Sequence, residues 1–195
     1  YGEFLAHHPP TQEVELKPGP DGEGTAWSCA HGVGRWYRDC GCQTGGAPGW
    51  NQAWRGPLRK ALDFLRDDIS ARFAALGAVL FRDADAARDD YVQVLLARDG
   101  DADEAAAAQA RFLAKHQARP LSDAERVRAL SLMELGLSGM LMYTSCGWFF
   151  TELSGIETLQ VLKYAARALD LLAQLGLPSP RAGLLERLAE ARSNL

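Results

Sequence analysis

Cys29, Cys40, Cys42 and Cys146 are all the cysteines of this 195-residue chain, and its five tryptophans, Trp27, Trp36, Trp50, Trp54 and Trp148, crowd into the same two stretches. Thiols this dense can bind a metal, form disulfides or simply pack. Cys29-Ala-His31 and Cys40-Gly-Cys42 sit on Gly-rich backbone, where short loops let several sulfurs converge on one tetrahedral centre. The ligand set expected is Cys29, Cys40, Cys42 and Cys146, with His31 as the alternative fourth ligand. Zinc and an iron–sulfur cluster both suit these donors, although the spacing matches no standard zinc-ribbon or ferredoxin signature. The competing readings are a pair of disulfides or four reduced, buried thiols. A bond from Cys40 to Cys42 would close a strained ring, and no secretion signal favours disulfides.

The tryptophans stand in Trp27-Ser-Cys29, Arg35-Trp36-Tyr37, Pro48-Gly-Trp-Asn-Gln52, Trp54-Arg55 and Cys146-Gly-Trp-Phe-Phe150. Indole faces stack on sugar rings while Asn, Gln, Arg and Asp side chains hydrogen-bond hydroxyls, so these residues could line an oligosaccharide groove. Trp50 and Trp148, then Trp36, Asn51 and Gln52, are the candidate substrate-binding residues; a second, loop-built core is the alternative. Phe149 and Phe150 are expected to pack inward. Glycoside hydrolysis needs two opposed carboxylates. Asp39 has Arg35 and Arg38 beside it as ion-pair partners, Glu157 falls in a helix-capping pattern, and Glu152 has no assigned role. No catalytic residue is assigned, and no Gly-x-Ser-x-Gly, phosphate loop or His-Glu-x-x-His occurs.

The elements that must position these loops read as helices. Leu58, Ala61, Leu62, Leu65, Ile69, Phe73 and Leu76 repeat at helical spacing from Trp54 onward, with Pro57 in the first turn and Gly77 placed to stop the helix. Two shorter helices over 83–97 and 101–117 have thin apolar faces, which makes residues 78–121 a peripheral excursion. Ser122-Asp-Ala-Glu125 is a capping box opening a central helix through Leu130, Met133, Leu137, Met140 and Leu141. Ser154-Gly-Ile-Glu157 repeats the pattern before a helix that runs from Ile156 to Leu175, with Gly176 as its stop. A short helix follows over 180–192. Residues 1–24 read as a linker or edge segment, with one alternating run at Glu13-Val-Glu-Leu16 and a dense turn signal at Lys17-Pro-Gly-Pro-Asp-Gly22. The fold expected is therefore mostly α, five to six helices over 25–195, with a Gly-rich N-terminal loop and at most a short edge strand.

Composition narrows the function classes. A 47% hydrophobic, 24% charged chain of this length can build one sizeable core. Its net charge of -4 and pI near 5.6 provide no basic field for nucleic acid, and no apolar run reaches bilayer length. Nucleic acid and membrane are not expected partners, and the expected location is cytoplasmic. Tyr1-Gly-Glu-Phe-Leu5 has neither an initiator Met nor the features of a signal peptide, so a longer parent polypeptide is expected.

Taken together, Trp27-Ser-Cys-Ala-His-Gly-Val-Gly-Arg-Trp36, Asp39-Cys-Gly-Cys42, Pro48-Gly-Trp-Asn-Gln52, Tyr143-Thr-Ser-Cys-Gly-Trp-Phe-Phe150 and Ser154-Gly-Ile-Glu157 resemble an uncharacterised helical domain. That domain lies on the C-terminal side of proteins related to glycoside hydrolase family 57, whose members act on α-glucans. The resemblance extends from about residue 1 to about residue 175. It implies an upstream (β/α) barrel on the same polypeptide that carries the catalytic carboxylates, with the helical part packed on it beside an oligosaccharide or α-glucan. The function expected is an accessory domain that lines the glycan cleft with aromatics, is stapled by its cysteine cluster and is inactive alone. A zinc or iron–sulfur site with its own activity and a purely structural interaction module are the alternatives.

Overall fold

The computed structural model describes residues 7–19 and 22–195, so the Tyr1-to-Leu5 lead-in and Pro20-Asp21 of the turn stretch lie outside the described residues. The fold is helical, with no strand or sheet among the described residues. Among the described residues, six helices have seven residues or more: α1 (Arg55–Leu80), α2 (Ala84–Asp90), α4 (Ala102–His116), α5 (Asp123–Leu141), α7 (Ile156–Gln174) and α8 (Arg181–Leu188). Two shorter ones are α3 (Val92–Ala97) and α6 (Cys146–Phe149). Residues 13–16 form no strand, and Val14 and Leu16 are exposed. Among the described residues, no helix is long and apolar enough to cross a membrane.

The apolar period of α1 does what its spacing implies. Leu58, Ala61, Leu62, Leu65, Ile69 and Phe73 are buried on one face, against α5 and α8. Gly77, however, does not stop the helix, which runs on to Leu80 and gives way to extended backbone at Phe81. A Cβ at Gly77 would stand 2.6 Å from the Cβ of Ala84, so its smallness lets α2 start against the flank of α1. Asp83 caps α2 by accepting the N–H groups of Asp85 and Ala86.

The 78–121 excursion is more firmly seated than its alanine content implies. Phe81, Tyr91, Val94, Phe112 and Leu113 are buried in the same core as the central helices. The Tyr91 and Phe112 rings meet edge-on at 5.3 Å, and the Tyr91 hydroxyl donates to Glu134 of α5 at 2.6 Å. Its base is closed by two backbone bonds, Arg82 N–H to His116 O and Ala118 N–H to Leu80 O.

Ser122 and Glu125 form the reciprocal capping box at the start of α5. The helix is central, packed between α1 and α7, but its buried positions are Ala129, Leu132, Met133, Leu135, Ser138 and Gly139, with Met140 exposed. Ser154 and Glu157 form no second box: Gly155 occupies the N-cap of α7, and the Ser154 N–H donates to Glu152 instead. At the other end Gly176 takes φ +70, with Leu177 N–H bonded to Leu172 O and Gly176 N–H to Ala173 O. This pair of bonds satisfies two carbonyls that the helix end would otherwise orphan. The outcome is a packed body of α1, α5 and α7 with α6 seated on α7, and residues 22–54 wrap onto it.

Candidate metal centre

The loop that bears the cysteines holds its shape with little regular structure. A single 3-10 turn, Gly34–Trp36, follows the first pair of donors. Gly41 adopts φ +76 between Cys40 and Cys42, a conformation that only glycine takes without strain, and the Asp39 carboxylate accepts its N–H at 3.1 Å. Gly34 leaves room for the second pair, since a Cβ there would lie 3.2 Å from the Cβ of Cys40.

These turns bring four donors together. The sulfurs of Cys29 and Cys40 are 3.8 Å apart, those of Cys29 and Cys42 3.7 Å, and the Cys42 sulfur is 3.5 Å from His31 Nδ1. All four ligand atoms lie within 4.8 Å of one another, a group that could hold a metal ion. The separations exceed a disulfide bond length of about 2.05 Å, and all four cysteines are free. Sulfurs bound to one tetrahedral zinc at about 2.3 Å, by contrast, stand about 3.8 Å apart, and a sulfur and a histidine nitrogen about 3.5 Å apart.

Burial pushes the Cys29 thiol up, but the backbone N–H groups of Arg35 and His31, with help from Cys42 and Cys40, outweigh it and bring the group down to about 7. Burial raises the Cys40 thiol. Of these two, Cys29 is the more readily ionised for a metal.

Two guanidinium groups underlie the loop. Arg55 is 0% and Arg35 5% exposed. Arg35 donates to Phe149 O at 3.0 Å and lies over the Phe149 ring; Arg55 donates to Cys42 O at 2.9 Å and to Phe150 O at 3.4 Å. Further ties run from Trp36 Nε1 to Ser145 O, from Trp54 Nε1 to Thr151 O, and from the Thr44 N–H to the Thr151 hydroxyl. Asp39 pairs with neither Arg35 nor Arg38 as expected; its second oxygen accepts the Gln52 N–H. Glu152 acquires a role as well, accepting Ser193 Oγ and the Asn194 N–H from the C-terminal tail.

Of the expected ligands, Cys29, Cys40 and Cys42 come together and His31 takes the fourth place. Cys146 lies outside the group, exposed at the first residue of α6. The cause is packing: Gly147 and Trp148, the next two residues, are buried, with Gly147 against Val161 of α7, and this seating turns Cys146 outward.

The aromatic positions divide. Trp54 and Trp148 are each 1% exposed and belong to the core, Trp148 stacked on Tyr143. Gln52 is buried too, and Asn51 is engaged with Asn194 of the tail. Trp36 and Trp50 are half-buried, and Trp36 lines an open cleft with Tyr37, Arg59, Lys60 and Tyr143. Trp27, which was not among the candidates, is 95% exposed, and its ring stands 6.4 Å from that of Phe149. Phe149 is half-buried and Phe150 exposed, so neither is fully inward. Sequence reasoning offered Arg35 only as a partner for Asp39 and gave Arg55 no structural part; their signal was an arginine beside a tryptophan in each of two glycine-rich stretches.

No curated protein and no solved structure matches the chain. A family model does match residues 50–195, which takes in the whole helical body and begins beyond the cysteine loop at 29–42. On that match the chain belongs to the family described as a domain of unknown function, DUF3536.

Proposed function

We propose that this is a helical accessory domain whose Gly-rich loop is stapled by a single zinc ion on Cys29, His31, Cys40 and Cys42. The observation that carries the reading is the spacing of the four donors: the Cys29–Cys40, Cys29–Cys42 and Cys42–His31 separations of 3.5 to 3.8 Å match the edges of one zinc tetrahedron, and all four ligand atoms lie within 4.8 Å of one another. An iron–sulfur cluster fits less well, because ligands on different irons are separated by the metal–metal distance as well, and all four donors here fall within 4.8 Å. Four protein ligands close the coordination sphere and leave no position for substrate, so the role is structural rather than catalytic.

Metal analysis tests this directly. The expected result is one zinc per chain, lost in Cys40→Ser and His31→Ala and retained in Cys146→Ser. Cobalt substituted for zinc should give the intense visible bands of a tetrahedral, thiolate-rich site. Purified protein without metal, or loss of metal in Cys146→Ser alone, sinks the assignment.

The same loop supports a second reading, in which it also faces an α-glucan or other oligosaccharide beside a catalytic barrel. Trp36, Trp50 and Trp27 keep ring surface uncovered on this one segment, and uncovered indoles stack on sugars. Titrating maltooligosaccharides against tryptophan fluorescence checks it. An unchanged spectrum up to millimolar sugar leaves the staple alone as the loop's function.

A further inference from the structure

We infer that Arg35 and Arg55 are the counter-charges of the metal centre and couple its loading to the segment 149–151; the inference rests on the zinc reading above. A guanidinium withdrawn from water needs compensating charge as well as hydrogen-bond partners. These two are nearly or completely buried, yet neither forms an ion pair with a carboxylate among the described residues. Their terminal nitrogens reach only carbonyl oxygens, those of Phe149, Phe150 and Cys42. The Nε of each is buried with no partner at all. Three further buried polar atoms lack a partner among the described residues, Ser28 Oγ and Gln52 Oε1 in the 22–54 loop region and Trp148 Nε1 in α6.

Charge bookkeeping identifies what is missing. With protonated thiols, the strongest charges acting on Arg55 are its like-charged neighbour Arg35 and one carboxylate, Asp39, and neither buried guanidinium pairs with a carboxylate among the described residues. Three thiolates and a neutral histidine around a divalent ion carry one net negative charge. Added to Asp39, that balances both arginines. A monovalent ion on the same ligands would overshoot, so the pair of arginines favours a divalent ion with all three sulfurs ionised.

The arginines also transmit the state of the site. Arg55 holds Cys42 O and Phe150 O at once, and Arg35 holds Phe149 O, so the strand of backbone leaving α6 hangs from groups whose own charge the metal centre neutralises. Thr151, next in line, is tied to Thr44 and Trp54 of the same loop region. Emptying the site leaves the two cations facing each other without compensation and loosens their hold on 149–151.

The test compares cobalt affinity, measured by competition with a chelator, in full-length Arg55→Gln, Arg55→Lys and Arg35→Gln proteins. Both glutamine variants should bind cobalt about 10- to 100-fold more weakly, the usual cost of losing a partner outside the ligands themselves. Their visible spectra should keep the wild-type band positions, since the ligands are unchanged. Arg55→Lys loses the forked hydrogen bonds but keeps the charge, and its affinity should stay near wild type. Should Arg55→Gln fail to fold, Arg35→Gln, at the less buried position, carries the comparison. Hydrogen exchange supplies the second readout, with amides of 149–151 losing protection in wild type when the metal is stripped. Equal affinities for wild type, Arg35→Gln and Arg55→Gln would overturn the inference and leave the staple intact, as would equal losses in Arg55→Lys and Arg55→Gln. Wild-type protein that binds no cobalt takes down both.

Discussion

The seat of α6 on α7 is tested by adding one methyl group at Gly147. A Cβ there would lie 2.3 Å from Cγ2 of Val161, 3.2 Å from its Cβ and 3.7 Å from Glu157 O. Val161 is buried and β-branched, so it has one comfortable rotamer in a helix and cannot swing aside. Overpacking of this kind costs about 1–3 kcal/mol. Alanine recovers up to about 1 kcal/mol over glycine within a helix, and less in a helix of a single turn. The net expectation for Gly147→Ala is a loss of about 1–2 kcal/mol. Val161→Ala alone removes two methyl groups at about 0.8 kcal/mol each and leaves a cavity, for a loss of about 2–3 kcal/mol. In the double variant the new methyl fills the vacated space. Its loss should fall below the sum of the two singles by about 1–2 kcal/mol. Urea unfolding of all four proteins at one fixed zinc concentration measures the cycle, so that metal linkage is the same throughout. Additive losses would show that the contact between α6 and α7 is not as described, and the explanation for the outward turn of Cys146 would go with it.

Acid stability provides another check. The Arg119 guanidinium, with the Ser122 N–H and hydroxyl, holds the Glu125 carboxyl down at about 2 from its ordinary 4.5. The folded state therefore takes up this proton later than the unfolded chain, and the stabilisation is complete above about pH 4.5 and disappears as pH falls toward 2. Glu125→Gln should flatten the acid-unfolding profile within that window, read by circular dichroism, while a profile identical to wild type would remove the capping box from the acid response. Gly77→Ala should lower the melting temperature despite the better helix former, because the added Cβ meets Ala84 at 2.6 Å; pairing it with Ala84→Gly should restore most of the loss.

Helical body and loop were legible to different degrees, for physical reasons. The apolar spacing of 58–73, the box at Ser122 and the stop at Gly176 are local signals whose partners lie within a turn or two, so they survive into the fold unchanged. Glycine is ambiguous because one residue serves two ends: Gly176 supplies left-handed backbone, whereas Gly77 supplies absence of bulk in a helix that continues. The Ser154 pattern misled because Glu152, two residues upstream, captures the Ser154 N–H first. Among the donors, residue types at 29–42 pointed to a metal. The choice of His31 over Cys146 depended on how α6 sits on α7, a contact no local pattern reports. Trp148 went the same way, into the core beside Tyr143.

The four donors span only residues 29–42, whereas the ties from the arginines and tryptophans of the loop reach more than ninety residues along the chain. Closing a loop of about ten residues takes on the order of 10–100 ns, far less than the assembly of contacts so distant in sequence. With the proposed metal bound, the loop can therefore be complete before the helical body exists. The order of folding would then run from knot to body, with Arg35 already in place when Phe149 arrives to meet it.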